Sequence, residues 1–305
     1  MARRHLSLAG AVLALGLTLS ACGGGGDEAF SSGDGDSDTI TLGSANFPES
    51  ELLMEIYAGA LDAKGVATRT QPNIGSREVY LKALEDGSID LIPEYNGALL
   101  AALQSDVPQG TTSPEAVYDA LQEVLPEGTR TLTQSAAEDK DSLTVTAATA
   151  KKYSLTTMED LAPVSKDLVV GAGPEFSQRF QGLEGLESVY GIEFKEFKPL
   201  DVGGPLTVSA LRDGSIDVGN VFTTDSAIET DELVVLEDTK NLYSSQNILP
   251  LIRSSKATPE VEKALDAVSA ALTTENLTAA LAKVQVDKDA PSTVAKQFLA
   301  DNDLD

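Results

Sequence analysis

"KALEDGSIDLIPEYNG" (Lys82–Gly97) and "SALRDGSIDVGNVFTTD" (Ser209–Asp225) carry one core, Ala-Leu-x-Asp-Gly-Ser-Ile-Asp, more than a hundred residues apart. In each copy an apolar helical stretch runs into Asp-Gly, a turn dipeptide whose glycine suits a left-handed helix cap. A short apolar strand follows and ends on a ring, Tyr95 in the first copy and Phe222 in the second. Packing residues and a turn explain the octet itself. The two rings that follow require a different explanation.

Working outward from the first copy, "TITLGSANF" predicts a strand over Thr39–Leu42 and a turn at Gly43 and Ser44. "PESELLMEIYAGALDAKG" spaces Leu52, Leu53, Ile56, Tyr57 and Ala60 as a helix face. "VATRTQPNI" predicts a strand and "SREVYLKALEDG" a helix stopped at Gly87. Strand and helix alternation of this kind implies an α/β lobe with a parallel sheet. The same order restarts after "SLTVTAATAKKY": "LVVGAGPEF" as a strand, "GLEGLESVYG" as a helix, "FKEFKPL" as a strand, then the second octet. The expected organisation is therefore lobe 1 over 39–140 and 248–305, and lobe 2 over 141–247. Two chain crossings, near 141 and 247, form the hinge. Three C-terminal helices, the first with N-cap Thr258 and Pro259 behind it, are expected to pack back on lobe 1. Ligands on such sheets sit at the carboxyl ends of strands, so Tyr95 and Phe222 would face one small molecule from two sides.

The chain begins with Arg3 and Arg4, an apolar run from Leu8 to Leu19, and Leu19-Ser20-Ala21-Cys22. This reads as a secretory leader over 1–21. Its end resembles the lipobox of bacterial lipoproteins, which implies acylation of Cys22, the single cysteine. The Gly-, Ser- and Asp-rich stretch to Asp38 cannot bury enough apolar surface to fold and reads as a tether over 22–38. The expected location is the extracytoplasmic face of the cell membrane.

With 48 acidic and 22 basic residues the net charge is −26, or about −28 once Arg3 and Arg4 leave with the leader. Such a charge repels phosphate and excludes nucleic acid as a partner. The one histidine, His5, falls in the leader. That removes Ser-His-Asp and Cys-His catalysis and the commonest zinc ligand sets, so no cofactor and no metal are expected.

The stretches "GSANFPESELLMEIYAGAL", "IGSREVYLKALEDGSIDLIPEYNGALL", "AKKYSLTTMEDL", "GPEFSQRFQGLEGLESVYG" and "DGSIDVGNVFTTDSAI" resemble the glycine betaine/choline/carnitine substrate-binding proteins of osmoprotectant ABC importers. The resemblance runs from Thr41 to Leu299 and implies a two-lobed periplasmic-binding-protein fold of the flytrap type (type II). It implies a monomer that closes on a small osmolyte and hands it to an ABC permease with its ATPase. It also implies a cage of aromatic rings around a quaternary ammonium group, which lacks N–H donors and is held by ring faces at roughly 0.5–2 kcal/mol each. Carried over position by position, the cage keeps Tyr95 and Phe222. Ser44, Asn46 and Phe47 match the first turn of the family's site, Gly75 and Ser76 the second, and Asn96, Thr223 and Asn247 add polar groups. Arg77 and Arg179 are candidates for a ligand carboxylate or for bracing the lobes, and Gln246 and Asn247, near the second crossing, for polar contacts or for hinge hydrogen bonds alone. Two family tyrosines are replaced, by Asp141 and by Val208. Tyr243 and Phe176 are candidate substitutes for the missing rings. Tyr57, Tyr80, Tyr153 and Tyr190 fit helical or core roles.

Asp141 admits two readings, an attractor for a cation or a solvated member of the charged run "EDKD". The incomplete cage also admits a non-quaternary ligand, an aromatic compound or an amino-acid derivative stacked between Tyr95 and Phe222. A surface enzyme using Glu94 and Asp225 as paired carboxylates is a third reading, and a purely adhesive lipoprotein a fourth. The expectation is a binding protein and not an enzyme.

Overall fold

Both octets adopt one local structure. Gly87 and Gly214 cap their helices in the left-handed conformation, with φ of 79° and 75°, which costs glycine little. The Ile89 amide donates to Ala83 O and the Ile216 amide to Ala210 O, closing each turn. The last aspartate then acts as a strand clamp. Asp90 donates its amide to Thr41 O and accepts the Thr41 amide on its carboxylate at 3.0 Å. Asp217 does the same with Val169, at 2.8 Å in both directions. The repeat therefore fixes where the octet strand meets its parallel neighbour, once in each lobe.

The computed structural model describes residues 38–104 and 110–305. The leader, Cys22 and nearly all of the tether lie outside the described residues. The first part of the chain supplies β1 (Ile40–Ala45), α1 (Pro48–Asp62), β2 (Thr68–Gly75), α2 (Arg77–Asp86), β3 (Leu91–Tyr95), α3 (Asn96–Leu103), α4 (Pro114–Gln122) and β4 (Thr129–Thr131). The middle part supplies β5 (Asp141–Thr146), α5 (Ala147–Tyr153), β6 (Val169–Ala172), α6 (Leu183–Gly185), β7 (Glu196–Pro199), α7 (Pro205–Asp213), β8 (Val218–Phe222), α8 (Ala227–Thr230) and β9 (Leu233–Val235). The chain then returns through β10 (Ile248–Arg253) to α9 (Pro259–Ala271), α10 (Thr274–Gln285) and α11 (Pro291–Asp301).

Two five-stranded sheets result, ordered β2-β1-β3-β10-β4 and β7-β6-β8-β5-β9. Four strands of each run in one direction, as alternation predicts. One strand in each corrects the all-parallel expectation, crossing from the other half to pair antiparallel with the octet strand: β10 with β3, β5 with β8. Pro72 lies in β2, an edge strand where its missing N–H is tolerated.

The sequence reading also ended β1 too early. The strand continues through Gly43 and Ser44 to Ala45, because a side chain at Gly43 would collide with Ile74 and Ile89 and glycine lets these approach. "GLEGLESVYG" is one α-turn at Leu183–Gly185 followed by a π-turn at Leu186–Tyr190. Helix α1 is buried around most of its circumference, with Leu52, Leu53, Met54, Ile56, Tyr57 and Leu61 fully inside. It joins one core with Leu265 and Val268 of α9, Leu277 of α10 and Phe298 of α11. Each such side chain contributes about 1.5–3 kcal/mol on burial. A separate core, around Leu143, Val170, Leu186 and Val218, fills the second half. Among the described residues no helix is long and apolar enough to cross a membrane.

Candidate ligand-binding site

Strand register brings the site together. Tyr95 ends β3 opposite Ile248, the first residue of β10. Phe222 ends β8 opposite Asp141, the first residue of β5. The two rings therefore stand where the chain crosses between sheets. Between them lies a cavity of about 710 Å³, its open mouth included. The first half lines it with Asn46, Phe47, Ser76, Arg77, Tyr80 and Tyr95, and the second with Asp141, Phe176, Arg179, Asn220 and Phe222.

Three of the rings form one group. Phe47, the residue just before α1, lies 6.1 Å from Tyr95 and 5.1 Å from Phe222 between centroids, tilted by 34° and 47°. Gly203 supports the Phe222 ring at φ 54°, where an added Cβ would sit 2.5 Å from ring carbon Cδ2. Phe176 enters from the 3-10 turn Pro174–Gln178. These faces are the natural partners of a cation that cannot donate N–H hydrogen bonds.

The charged groups divide into partnered and unpartnered ones. Arg77 donates from Nε and Nη2 to both oxygens of Glu94, at 2.9 and 3.0 Å, and Glu94 is fully buried. Glu94 also accepts the Tyr80 hydroxyl at 2.6 Å and the Tyr95 amide at 2.9 Å. Breaking one side of such a buried pair costs about 3–5 kcal/mol. Arg179 meets Glu78 of α2 at 3.0 Å across the mouth, where the pair is partly exposed. Asp141 accepts only neutral donors, Asn220 Nδ2 at 3.1 Å and Gln246 Nε2 at 3.2 Å.

Beneath Tyr95 lies a pair of carboxyl groups. Glu49, in the first turn of α1, accepts the Tyr95 hydroxyl at 2.7 Å and the Thr224 hydroxyl at 2.5 Å. Asp139, buried beside it, accepts the Thr224 amide at 3.1 Å and the Thr223 hydroxyl at 3.3 Å. Burial raises the pKa of Glu49, and burial together with the Glu49 charge raises that of Asp139. Two buried carboxyl groups this close cannot both ionise cheaply, so each resists losing its proton more than an exposed carboxyl does.

Several expected site residues lie elsewhere. Ser44 points into the protein on the Leu42 face of β1; its hydroxyl donates to Ala45 O and accepts the Asn73 amide. Gly75 ends β2 one residue short of Ser76, and only Ser76 lines the cavity. Asn96 and Asn247 act as hinge fasteners: Asn96 Oδ1 accepts the Asn247 amide at 2.9 Å, and Asn247 Nδ2 donates to Ser135 O. Thr223 faces the crossing, accepting the Lys140 amide at 2.9 Å. Val208 packs with Leu211, Ile216 and Val221, and Tyr243 is buried in the second core, so neither reaches the cavity. Tyr80 has the helical core role expected of it, packed with Leu84 and Leu99, and its side chain also lines the cavity. Asp139, Gln181 and Asn220 were missed and line it too. The proposed carboxylate pair is not assembled: Glu94 is saturated, while Asp225 accepts Gln285 Nε2 and the Ala227 amide. Among the described residues no cluster of three metal-ligating side chains occurs.

Residues 38–301 match the family described as the substrate binding domain of ABC-type glycine betaine transport systems. Over 289 residues the chain is 26% identical to the carnitine transport binding protein OpuCC of Listeria monocytogenes, covering 88% of this chain and 89% of the relative. It is 25% identical over 288 residues to a glycine-betaine-binding protein of Pseudomonas aeruginosa, covering 90% and 91%. Among solved structures, that of a glycine betaine/carnitine/choline ABC transporter superposes with a TM-score of 0.68 at 23% identity, over 87% of this chain and 99% of that one. A choline-binding ABC-transporter protein in complex with choline gives 0.65 at 16% identity, over 88% and 89%. These likenesses establish the two-lobed type II fold of periplasmic binding proteins.

Proposed function

The chain belongs to the substrate-binding family of ABC-type glycine betaine transport systems, and from that premise we propose that it captures a quaternary ammonium osmolyte between its lobes and delivers it to a membrane permease. As a transport binding protein it is not an enzyme. The observation that carries the ligand reading is the grouping of Tyr95 and Phe222, at two strand ends, with Phe47, at the start of α1, lining one cavity. Ring faces supply the attraction that an alkylated nitrogen cannot obtain from hydrogen bonds, and the attraction strengthens when the cleft closes and water leaves.

Closure rotates lobe 1 (39–140 and 248–305) against lobe 2 (141–247) about the two crossings. Glu78–Arg179 would clasp the mouth, and Thr224–Glu49 would hold the floor. Acylation of Cys22 would keep the protein at the extracytoplasmic face of the membrane, beside the permease. Calorimetric titration with glycine betaine, choline, carnitine and proline betaine tests the ligand class. Micromolar binding of at least one is expected. Silence across the panel from folded protein would exclude quaternary ammonium ligands and favour an aromatic or amino-acid cargo.

A further inference from the structure

The rings alone do not distinguish a simple cation from a zwitterion, because both present the same alkylated nitrogen. The distinction rests on what the cavity offers to a carboxylate, and among its lining residues only Arg77 and Arg179 are basic. Each already has a carboxylate partner. Arg77 is chelated by Glu94 through two hydrogen bonds, and Arg179 by Glu78 through three. Three acidic residues also line the cavity, Asp139, Asp141 and Glu175, and none of them belongs to any ion pair among the described residues. Arg77 reaches Asp141 only as a longer-range attraction.

Asp141 is also placed for the purpose. Strand pairing sets it directly opposite Phe222. Asn220 Nδ2 donates to its Oδ1 and Gln246 Nε2 to its Oδ2. These neutral donors orient the carboxylate without cancelling its charge. A charge held next to a ring face in a cleft that excludes water attracts a cation more strongly than the ring does.

We propose that Asp141 is the counter-ion of the bound ligand, and that the site selects a quaternary ammonium cation lacking a carboxylate over a zwitterion such as glycine betaine. The inference rests on the quaternary ammonium reading above and narrows it. A zwitterion would have to draw Arg77 from Glu94 or Arg179 from Glu78, while its own carboxylate faced Asp141 and Glu175. A cation asks for neither change. The residue that replaces a family ring thereby changes selectivity and keeps the site competent.

The test is titration of the purified protein at neutral pH with choline, glycine betaine and 3,3-dimethylbutan-1-ol, the uncharged carbon isostere of choline. Choline is expected to bind at least about tenfold more tightly than either of the others. Asp141→Asn, which keeps the shape of the side chain, is expected to weaken choline about tenfold and leave the isostere unchanged. Glycine betaine binding as tightly as choline, or Asp141→Asn weakening choline and the isostere equally, would overturn the inference and leave the quaternary ammonium reading intact. Failure of every alkylammonium ligand to bind folded protein would overturn that reading itself. The wild-type ratio is decisive even if the variant folds poorly.

Discussion

The ring of Phe47, at the start of α1, lies 5.1 Å from the ring of Phe222, at the end of β8, with the planes 47° apart. One residue belongs to the first sheet's side of the cleft and the other to the second, so the halves meet through aromatic faces where the ligand would sit. A cation entering the cleft exchanges ring–ring contact for cation–ring contact.

Replacing a ring should therefore cost ligand binding, and for Tyr95, which belongs to the first core, stability as well. Tyr95→Ala is expected to weaken binding of the preferred ligand tenfold or more, measured by calorimetry. Tyr95→Phe keeps the face and loses the hydrogen bond to Glu49, so its affinity should stay within about threefold of the wild type. Equal losses in the two variants would assign the effect to the hydroxyl.

Gly203 sets the Phe222 ring. Gly203→Ala meets both an unfavourable φ of 54° and a Cβ 2.5 Å from that ring, whereas Gly191→Ala meets only the first, at φ 68° with nothing within 4 Å. Both should lose about 1 kcal/mol or more of stability, read from denaturant unfolding. Only Gly203→Ala should also weaken ligand binding. A binding loss shared by both would show that Gly203 acts through backbone strain alone.

The Glu49–Asp139 pair predicts a sign for pH dependence. Both groups have raised values in the folded protein, so between the ordinary carboxylate range and those values the folded state binds more protons than the unfolded one. The stability associated with the pair is fully present below the unfolded values and is lost as pH rises through the folded ones, by up to about 1.4 kcal/mol per pH unit for one whole proton. The groups facing the pair are Tyr95, Thr224, Asp225 and Asp141. Asp139→Asn should flatten the decline, as seen by comparing the Tm of the variant and the wild type from pH 4 to 8. Parallel Tm curves would locate the proton elsewhere.

How much of this was readable in the sequence follows from how local each cause is. The octet was legible because a helix, a glycine stop and a strand are set by neighbouring residues, and both copies behave alike down to the Asp90 and Asp217 clamps. Tyr95 and Phe222 were legible as strand ends. Ser44 was misplaced because β1 continues past Gly43, and in a strand a one-residue error in where it ends exchanges inside for outside. The alternation Ile40, Leu42, Ser44 carried that signal. Asn96 is expected as a ligand contact although its partner is Asn247, whose other expected role, hinge hydrogen bonding, is the one the structure shows. Glu49 and Asp139 stand ninety residues apart, and no pattern in either neighbourhood announces that they are buried side by side.

The Glu78–Arg179 pair joins the halves at the mouth, but it is partly exposed, so it should contribute less than about 1 kcal/mol to stability. Glu78→Gln is expected to leave Tm nearly unchanged and to raise the ligand's dissociation rate a few-fold, an effect that high salt should mimic in the wild type. Unchanged dissociation in stopped-flow measurements would remove the pair from the closing mechanism.

The most direct test of the central claim is a crystal structure of the protein with its tightest-binding quaternary ammonium ligand. The account predicts the alkylated nitrogen within about 6 Å of the ring centroids of both Tyr95 and Phe222, with Asp141 among its neighbours. A ligand seated away from those two rings, or bound to one lobe alone, would contradict it.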